Sequence, residues 1–568
     1  MSMKNIPIGA KKEYLIQLIH SVNKVMNIAR WRAFFYINPS KKPEFKETYG
    51  FNSTRASPHV EELREFQEKL FDMIKNIEFR EQIRNKLQDQ LRHTVKDINK
   101  DDKVYMAADK TSNHYKIEAK AFEKLLENNI TTDYKKAEIG QFKTIQTEAK
   151  KIAVRIGLSD RILKTSLREA NITIKDHKPN FRINPTCRLL NPTKTEIGRI
   201  SKQIVSKINK TIRANTTFNQ WTNTNSVINW FNKLDKTETS HFIQFDIVSF
   251  YPSINEGLLN KALTWAEEHI TITDGEKEIV IHAKKSILFF GGSTWVKKNN
   301  PNFDVGMGSF DGAENCELVG LFLLSKLQHL NINIGLYRDD GLAVSNLTRK
   351  QTETVKQKIC KIFDLNGLKI TIEANMKSVD FLDITMDLNM WVFKPFMKPN
   401  NNPQYVHVNS NHPLTIVKNI PLSVNKRLSE TSSNKDIFDA AIKPYQEALI
   451  KSGYKHELKF EPVSNSNLKK GRCRNRRITW FNPPFCKNVK SNVAKQFLTL
   501  VDTCFPVDHD LRSIFNRNTI KASDRTMPNL TQVLSRHNNK ILSKIRNQEE
   551  GDEGCNCRAK NACPLECM

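Results

Sequence analysis

Between Pro58 and Ile98 the apolar residues Val60, Leu63, Phe66, Leu70, Met73 and Ile77 recur at spacings of three and four, with Lys, Glu and Gln between them. That period predicts one or two amphipathic helices whose apolar stripe is a core face. Val104–Ala108 reads as a short buried strand, followed by a polar turn of Asp109, Lys110, Thr111, Ser112 and Asn113. From Asn171 to Gly198 there are three prolines, few acids and six basic side chains, His177 included, which predicts hairpins presenting cations rather than a helix. Helical spacing returns over Ile200–Ile212. From His241 the pattern becomes strand-like, with Phe242, Ile243, Phe245, Ile247 and Val248 gathered around one carboxylate, Asp246. Asn315–Leu330 predicts a further helix. The segment NINIGLYRDDGLAV offers two apolar arms around Arg338, Asp339, Asp340 and Gly341, the pattern of a hairpin with its acids at the bend. After Trp391 the Asn- and Pro-rich stretches Lys398–Asn402 and Asn409–Pro413 mark a boundary near residue 396, before helical periodicity over Val424–Leu458. The mixture is α+β, without internal repeats.

Length and composition narrow the class. A chain of 568 residues suggests about three or four domains and is too long for a small stapled scaffold. With 39% hydrophobic and 26% charged residues, neither wholesale disorder nor a fibrous repeat fits. The apolar runs Leu318–Leu324 and Ile287–Phe290 are core-length, well short of the roughly 18 residues of a membrane span, so no membrane is expected. The first residues lack a continuous apolar core with a cleavage site, which leaves the ten cysteines better read as reduced thiols. Charge is the departure from average: 89 Lys and Arg against 61 Asp and Glu give +28, which concentrates polyanions and makes nucleic acid the leading partner. A solubilising cationic surface and attraction to an anionic membrane are the competing readings.

The chemistry centres on acids. Asp339 and Asp340 at a hairpin bend, with Asp246 ending a separate strand, would place carboxylates from different strands at one sheet edge. That is a Mg²⁺ or Mn²⁺ site, and two such ions can activate a 3′-hydroxyl and stabilise departing pyrophosphate. Two adjacent acids at a turn are also ordinary solvated turn chemistry. Tyr251, five residues after Asp246, would put a ring beneath an incoming sugar, where it excludes a 2′-hydroxyl and favours deoxynucleotides. Gly308 and Ser309, in MGSFDGAENC, supply a flexible turn before a helix, suited to close backbone approach to a template base.

Taken together, FDIVSFYPSI, VGMGSFDGAE, YRDDG, GLKITIEANMK and FLDI resemble the palm of reverse transcriptases. More narrowly, AADKTSNHY, KDHK, CRLLNPTKTEIGRISK, MGSFDGAENCELVG, SGY and RRITWFNPPF with IFNRNTIK resemble Penelope-like retroelements, the eukaryotic group related to telomerase reverse transcriptase, from about residue 100 onward. The resemblance implies a right-hand polymerase: a helical N-terminal extension (1–165), fingers and palm (166–395), a helical thumb (396–465) and a basic C-terminal linker with a Cys cluster (466–568). It implies RNA-templated DNA synthesis from dNTPs on a DNA primer or chromosomal 3′ end, in the nucleus, as part of retroelement integration. Asp246, Asp339 and Asp340 become the catalytic triad, with the Ile247 carbonyl as a further metal ligand. Lys175 and Arg188 become fingers cations on the triphosphate, Lys377 a general acid for pyrophosphate, and Phe381, Leu382 and Asp383 the primer-contacting turn.

Cys555, Cys557, Cys563 and Cys567, spaced C-x-C-x5-C-x3-C, could bind Zn²⁺ as a small knuckle or stay as unliganded thiols. The same stretch is similar to the linker that precedes a GIY-YIG endonuclease in many Penelope-like elements, and no such nuclease motif is found in the sequence. The run Lys469–Arg477 reads as an import signal, a nucleic-acid clamp or a solvated loop. Two other enzymes stay open, an RNA-dependent RNA polymerase and a host-adopted polymerase for chromosome ends. A decayed, non-catalytic nucleic-acid-binding protein would require loss of a key carboxylate, and all three are present.

Overall fold

The structure is a computed structural model that describes residues 2–41, 56–81, 85–138, 140–157, 159, 168–193, 196–285, 287–462 and 478–552. Its centre is a five-stranded sheet in the order Ile370–Met376, His241–Ile247, Asp340–Ser345, Asn333–Tyr337, Asn219–Gln220, antiparallel except for the last pair. Alternate side chains along a strand face opposite ways, and here the two faces enter different cores. Ile243, Phe245 and Ile247 pack against helices Glu196–Asn215, Glu256–Ala266, Gly312–Leu327 and Arg349–Asp364. Phe242, Leu342 and Val344 pack on the other side with Trp221, Trp230, Phe231 and Phe381. Asp246 shares a face with Phe242 but lies beyond the end of that second layer, so it is exposed.

The expected strand Val104–Ala107 pairs with His114–Ile117, and the cationic hairpin is Asn171–Ile174 against Cys187–Leu190. Both share a core with helix Ala119–Asp133 and with the strands Leu288–Phe290 and Ser293–Lys297. Strand Ser293–Lys297 also pairs with Tyr134–Lys136. Two amphipathic helices, Arg64–Lys75 and Lys86–Lys100, occupy the predicted Pro58–Ile98 region. Beyond the central sheet, the strands Ser378–Phe381, Ile384–Asp387 and Val392–Pro395 lead to the helices Leu414–Glu430 and Lys435–Lys451. The single helical run expected over Val424–Leu458 therefore starts earlier and breaks once, where the Asn434 side chain caps the second helix by accepting from Ile437 N at 3.0 Å.

The chain ends depart from the expected division. Tyr14–Ala33 and Val60–Ile77 bury their apolar faces together with Phe481, Phe497, Phe505 and Phe515. Residues 1–165 are thus not one unit, and 478–552 is not a linker. Helix Leu530–Asp552 lies along strand Val104–Ala107, where the Asn538 side chain accepts from Tyr105 N (3.0 Å) and donates to Tyr105 O (2.9 Å) as a substitute strand partner. Local periodicity carries no sign of such long-range closure. Among the described residues, no helix is long and apolar enough to cross a membrane.

Candidate active site

Tyr337 pairs with Asp340, leaving Arg338 and Asp339 as a two-residue bend. Arg338 holds φ +54°, where a side chain is unfavourable and Gly is usual for such hairpins. Asp340 stands opposite Asp246 in the sheet register, about 5 Å away along the ladder. Ile247 N donates to Asp339 O at 2.9 Å, which stitches the bend to the strand carrying Asp246. Gly341 has a specific cause: a Cβ there would lie 2.1 Å from Cζ of Phe245.

Burial, then repulsion from Asp339 and Asp246, pushes the Asp340 carboxyl up to about 6. Asp246 is exposed, yet the protein packed around it removes enough water to raise its carboxyl as well, with Asp339 adding to the rise and Lys110 and a hydrogen bond from Asp340 opposing it. Three crowded carboxylates with oxygen-only donors suit a hard divalent cation. Among the described residues no group of three or more His, Cys, Asp or Glu side chains stands ready to hold a metal, so these acids would have to draw in around one. A carboxyl raised in the folded state favours folding at low pH, and that stabilisation is lost as pH climbs from about 4 through about 6. Without divalent ions, Asp340→Asn is therefore expected to melt higher than the wild type at pH 8, by on the order of 1–3 kcal/mol, and to match it at pH 4. A variant that melts lower at pH 8 would contradict the repulsion.

Asp339 and Asp340 open onto a cleft of about 810 Å³ whose lining also includes Lys110, Arg188, Tyr251 and Gly308. Asp246 stands beside it, opposite Asp340 in the sheet, and is not part of that lining. Arg188, on the cationic hairpin, has Nη1 3.1 Å from Asp109 Oδ1, while its buried Nε has no partner. Tyr251 sits on a helical turn, Phe250–Ser253, and burial raises its hydroxyl to about 12. Its ring lies over the start of helix Gly312–Leu327: a Cβ on Gly312 would be 3.4 Å from Tyr251 Cε1. Gly308 has φ +104°, and a Cβ there would stand 2.7 Å from the Asn191 carbonyl oxygen, so this loop position admits only glycine. The neighbouring Ser309 Oγ is buried without a partner.

The expected primer turn is a two-residue bend, Leu382 (φ +55°) and Asp383, between strands Ser378–Phe381 and Ile384–Asp387. Leu382 and Asp383 line the cleft; Phe381 is buried instead, with its ring centroid 5.5 Å from that of Trp221. Asp383 accepts from Thr224 Oγ1 (3.0 Å) and Arg427 Nη2 (2.7 Å), joining the bend to helix Leu414–Glu430. Lys175, just past strand Asn171–Ile174, is half-buried and outside the cleft lining.

Lys377 is not brought to the acids. Its Nζ donates to the carbonyls of Glu238 (2.6 Å) and Ser240 (2.7 Å), beside the start of strand His241–Ile247. Asp246 is near the other end, roughly 16 Å along the strand from its start at His241 at about 3.3 Å per residue. The expected general acid is thus a lysine that ties down a loop. Cys555, Cys557, Cys563, Cys567 and the Lys469–Arg477 run lie outside the described residues.

The structure adds cations that sequence reasoning passed over. Lys110, in the predicted polar turn, and Lys398, in the Asn-rich connector, both line the cleft and both act on Asp340. Asp176 explains how the connector gets there. Wholly buried, it accepts from Thr111 Oγ1 (2.6 Å), Asn113 Nδ2 (2.9 Å) and Tyr115 OH (2.9 Å), and its carbonyl accepts from Asn400 Nδ2 at 3.0 Å. Asn113 Nδ2 in turn donates to Asn400 O at 3.3 Å. Lys398 is therefore strapped across to the Lys110 turn.

No family model matches the chain, and no curated protein matches it. Among solved structures it is similar to telomerase from Candida albicans in complex with a TWJ fragment of telomeric RNA, at 10% identity and TM-score 0.44, covering 78% of this chain and 84% of that one. Apo telomerase from Candida tropicalis is similar at 11% identity and TM-score 0.40, covering 78% and 88%. The RNA-dependent RNA polymerase of a human picobirnavirus is similar at 10% identity and TM-score 0.34, covering 63% and 76%. The chain is a mixed α+β fold in which acids stand at one end of the central sheet, the small sheets beside it bring Lys110 and Arg188 to the cleft, and a pair of helices brings Arg427.

Proposed function

We propose that this chain is an RNA-directed DNA polymerase. The observation that carries the reading is the convergence of Asp246, Asp339 and Asp340 on one sheet end, with Asp339 and Asp340 facing the Tyr251 and Gly308 wall across a single cleft. Asp246 and Asp339, with the Ile247 carbonyl, would hold two Mg²⁺ ions, and Asp340 would support them. Bound there, the ions would supply Lewis-acid stabilisation of the attacking and leaving oxygens. The protein's own contribution is positional. Lys110, Lys398 and Arg188 neutralise the triphosphate, with Arg188 as a planar fork. The bend at Leu382 and Asp383 receives the primer end, and Tyr251 occupies the space of a 2′-hydroxyl. The biological setting we propose is that of a Penelope-like retroelement in the nucleus, copying its transcript into DNA from a chromosomal 3′ end.

Sugar selection tests this reading against RNA synthesis. Tyr251→Ala should lower discrimination of deoxy- over ribonucleotides on the order of 10- to 100-fold, whereas Tyr251→Phe, which keeps the ring, should leave it unchanged. Single-nucleotide extension with matched dNTP and NTP pairs measures both. A wild type that prefers ribonucleotides would overturn the proposal.

A further inference from the structure

Behind the Tyr251 and Gly308 wall lies an ionic network that the chemistry above does not use. Lys284 closes both ends of the 304–311 loop: its carbonyl accepts from Asp304 N at 2.9 Å, and its fully buried ammonium pairs with the Asp311 carboxylate. Ser201 Oγ donates to the other oxygen of Asp311. Such a pair stabilises little by itself, because removing two charges from water offsets their attraction, but it allows one arrangement of the loop.

From this loop the buried Asp304 reaches outward to two residues that stand opposite each other in neighbouring strands, Tyr134 and Lys297. Tyr134 OH donates to Asp304 Oδ2 at 2.7 Å. Lys297 Nζ lies 3.7 Å from Asp304 Oδ1, too far for a good hydrogen bond, and Oδ1 has no other partner. The ammonium is spent elsewhere: it donates to the carbonyl of Pro252, in the single helical turn that carries Tyr251. One lysine thus ties the Tyr251 turn to the segment that leads into Gly308.

We propose that Lys297 is the positioning residue for sugar discrimination, fixing the Tyr251 turn against the Gly308 loop through Asp304. The inference rests on the polymerase reading. Tyr251 excludes a 2′-hydroxyl only if its ring holds its place, and a shift of about 1 Å is enough to alter a rate up to 100-fold. Lys297 touches no reacting atom and acts through the backbone of its neighbour.

The test uses the full chain with Lys297→Met, the charge-balanced double variant Lys297→Met/Asp304→Asn, and Lys297→Arg. Two readouts are taken: deoxy-over-ribo discrimination, and the ¹⁹F resonance of a 3-fluorotyrosine placed at position 251. Both methionine variants should lose about tenfold in discrimination, chiefly through a lower KM for the ribonucleotide, and should shift or broaden the resonance; Lys297→Arg should recover part of each. The double variant keeps the test decisive if the single one misfolds around an unpaired Asp304. An unchanged resonance, or discrimination within about twofold of wild type in a variant that merely melts lower, would overturn the proposal. Failure of the polymerase reading shows separately, as wild-type protein that does not extend a primer, and the resonance then decides for or against Lys297 alone.

Discussion

Asp246→Asn and Asp339→Ala each lower primer extension by a factor on the order of 10³ or more, and neither weakens the fold. Loss of a carboxylate that positions a divalent ion forfeits several kcal/mol of charge stabilisation, and about 4 kcal/mol is already three powers of ten. Stability moves the other way, because the acids are crowded together and partly screened from water: burial and Asp339 raise the Asp246 carboxyl, and burial, then Asp339 and Asp246, raise that of Asp340. Single-turnover extension and a melting curve in divalent-free buffer measure the two effects on the same preparations. Variants that keep more than a tenth of the activity would show that the acids are turn residues only.

Gly341→Ala should be the most damaging single methyl in the central sheet. The added carbon would stand 2.1–2.6 Å from three atoms of the Phe245 ring. That ring is 2% exposed and set edge-on against Phe363 with centroids 5.4 Å apart, so it has nowhere to go. Overpacking of this kind costs about 1–3 kcal/mol, and the backbone of the strand beside Asp340 must shift with it. The expected result is a urea midpoint lowered by an equivalent amount, with part of the loss, about 1 kcal/mol, recovered in Gly341→Ala/Phe245→Leu. A single variant within about 0.5 kcal/mol of wild type would mean that the sheet accommodates the methyl.

Much of this was legible in the residues because it is local. The alternation around Asp246, the apolar arms flanking Asp339 and Asp340, and the amphipathic stripe from Val60 to Ile77 each specify an element through nearest neighbours, and each appears in the structure. What was not legible depends on contacts distant in sequence. The role expected of Lys377 follows from the resemblance alone, and a resemblance around FLDI does not say which end of the neighbouring strand the side chain faces; it lies at the far one. Lys398 was passed over because an Asn-rich connector reads as a spacer; only the hydrogen bonds from Asn400 to Asp176 and from Asn113 to Asn400 bring it to the cleft. The joint core of Tyr14–Ala33 with Phe481–Phe515 is likewise invisible to periodicity, since each partner alone shows only an apolar face. Gly308 and Gly341 look alike in the sequence, but one answers to a positive φ and a nearby carbonyl and the other to a ring.

The most direct test of the central claim is extension of an annealed primer on an RNA template by the wild-type chain with Mg²⁺, run in parallel with the four dNTPs and the four NTPs. The account predicts templated extension with dNTPs, little with NTPs, and none once the divalent ion is chelated. Protein that binds the same primer–template and extends it with neither set of nucleotides, or only with NTPs, would contradict it.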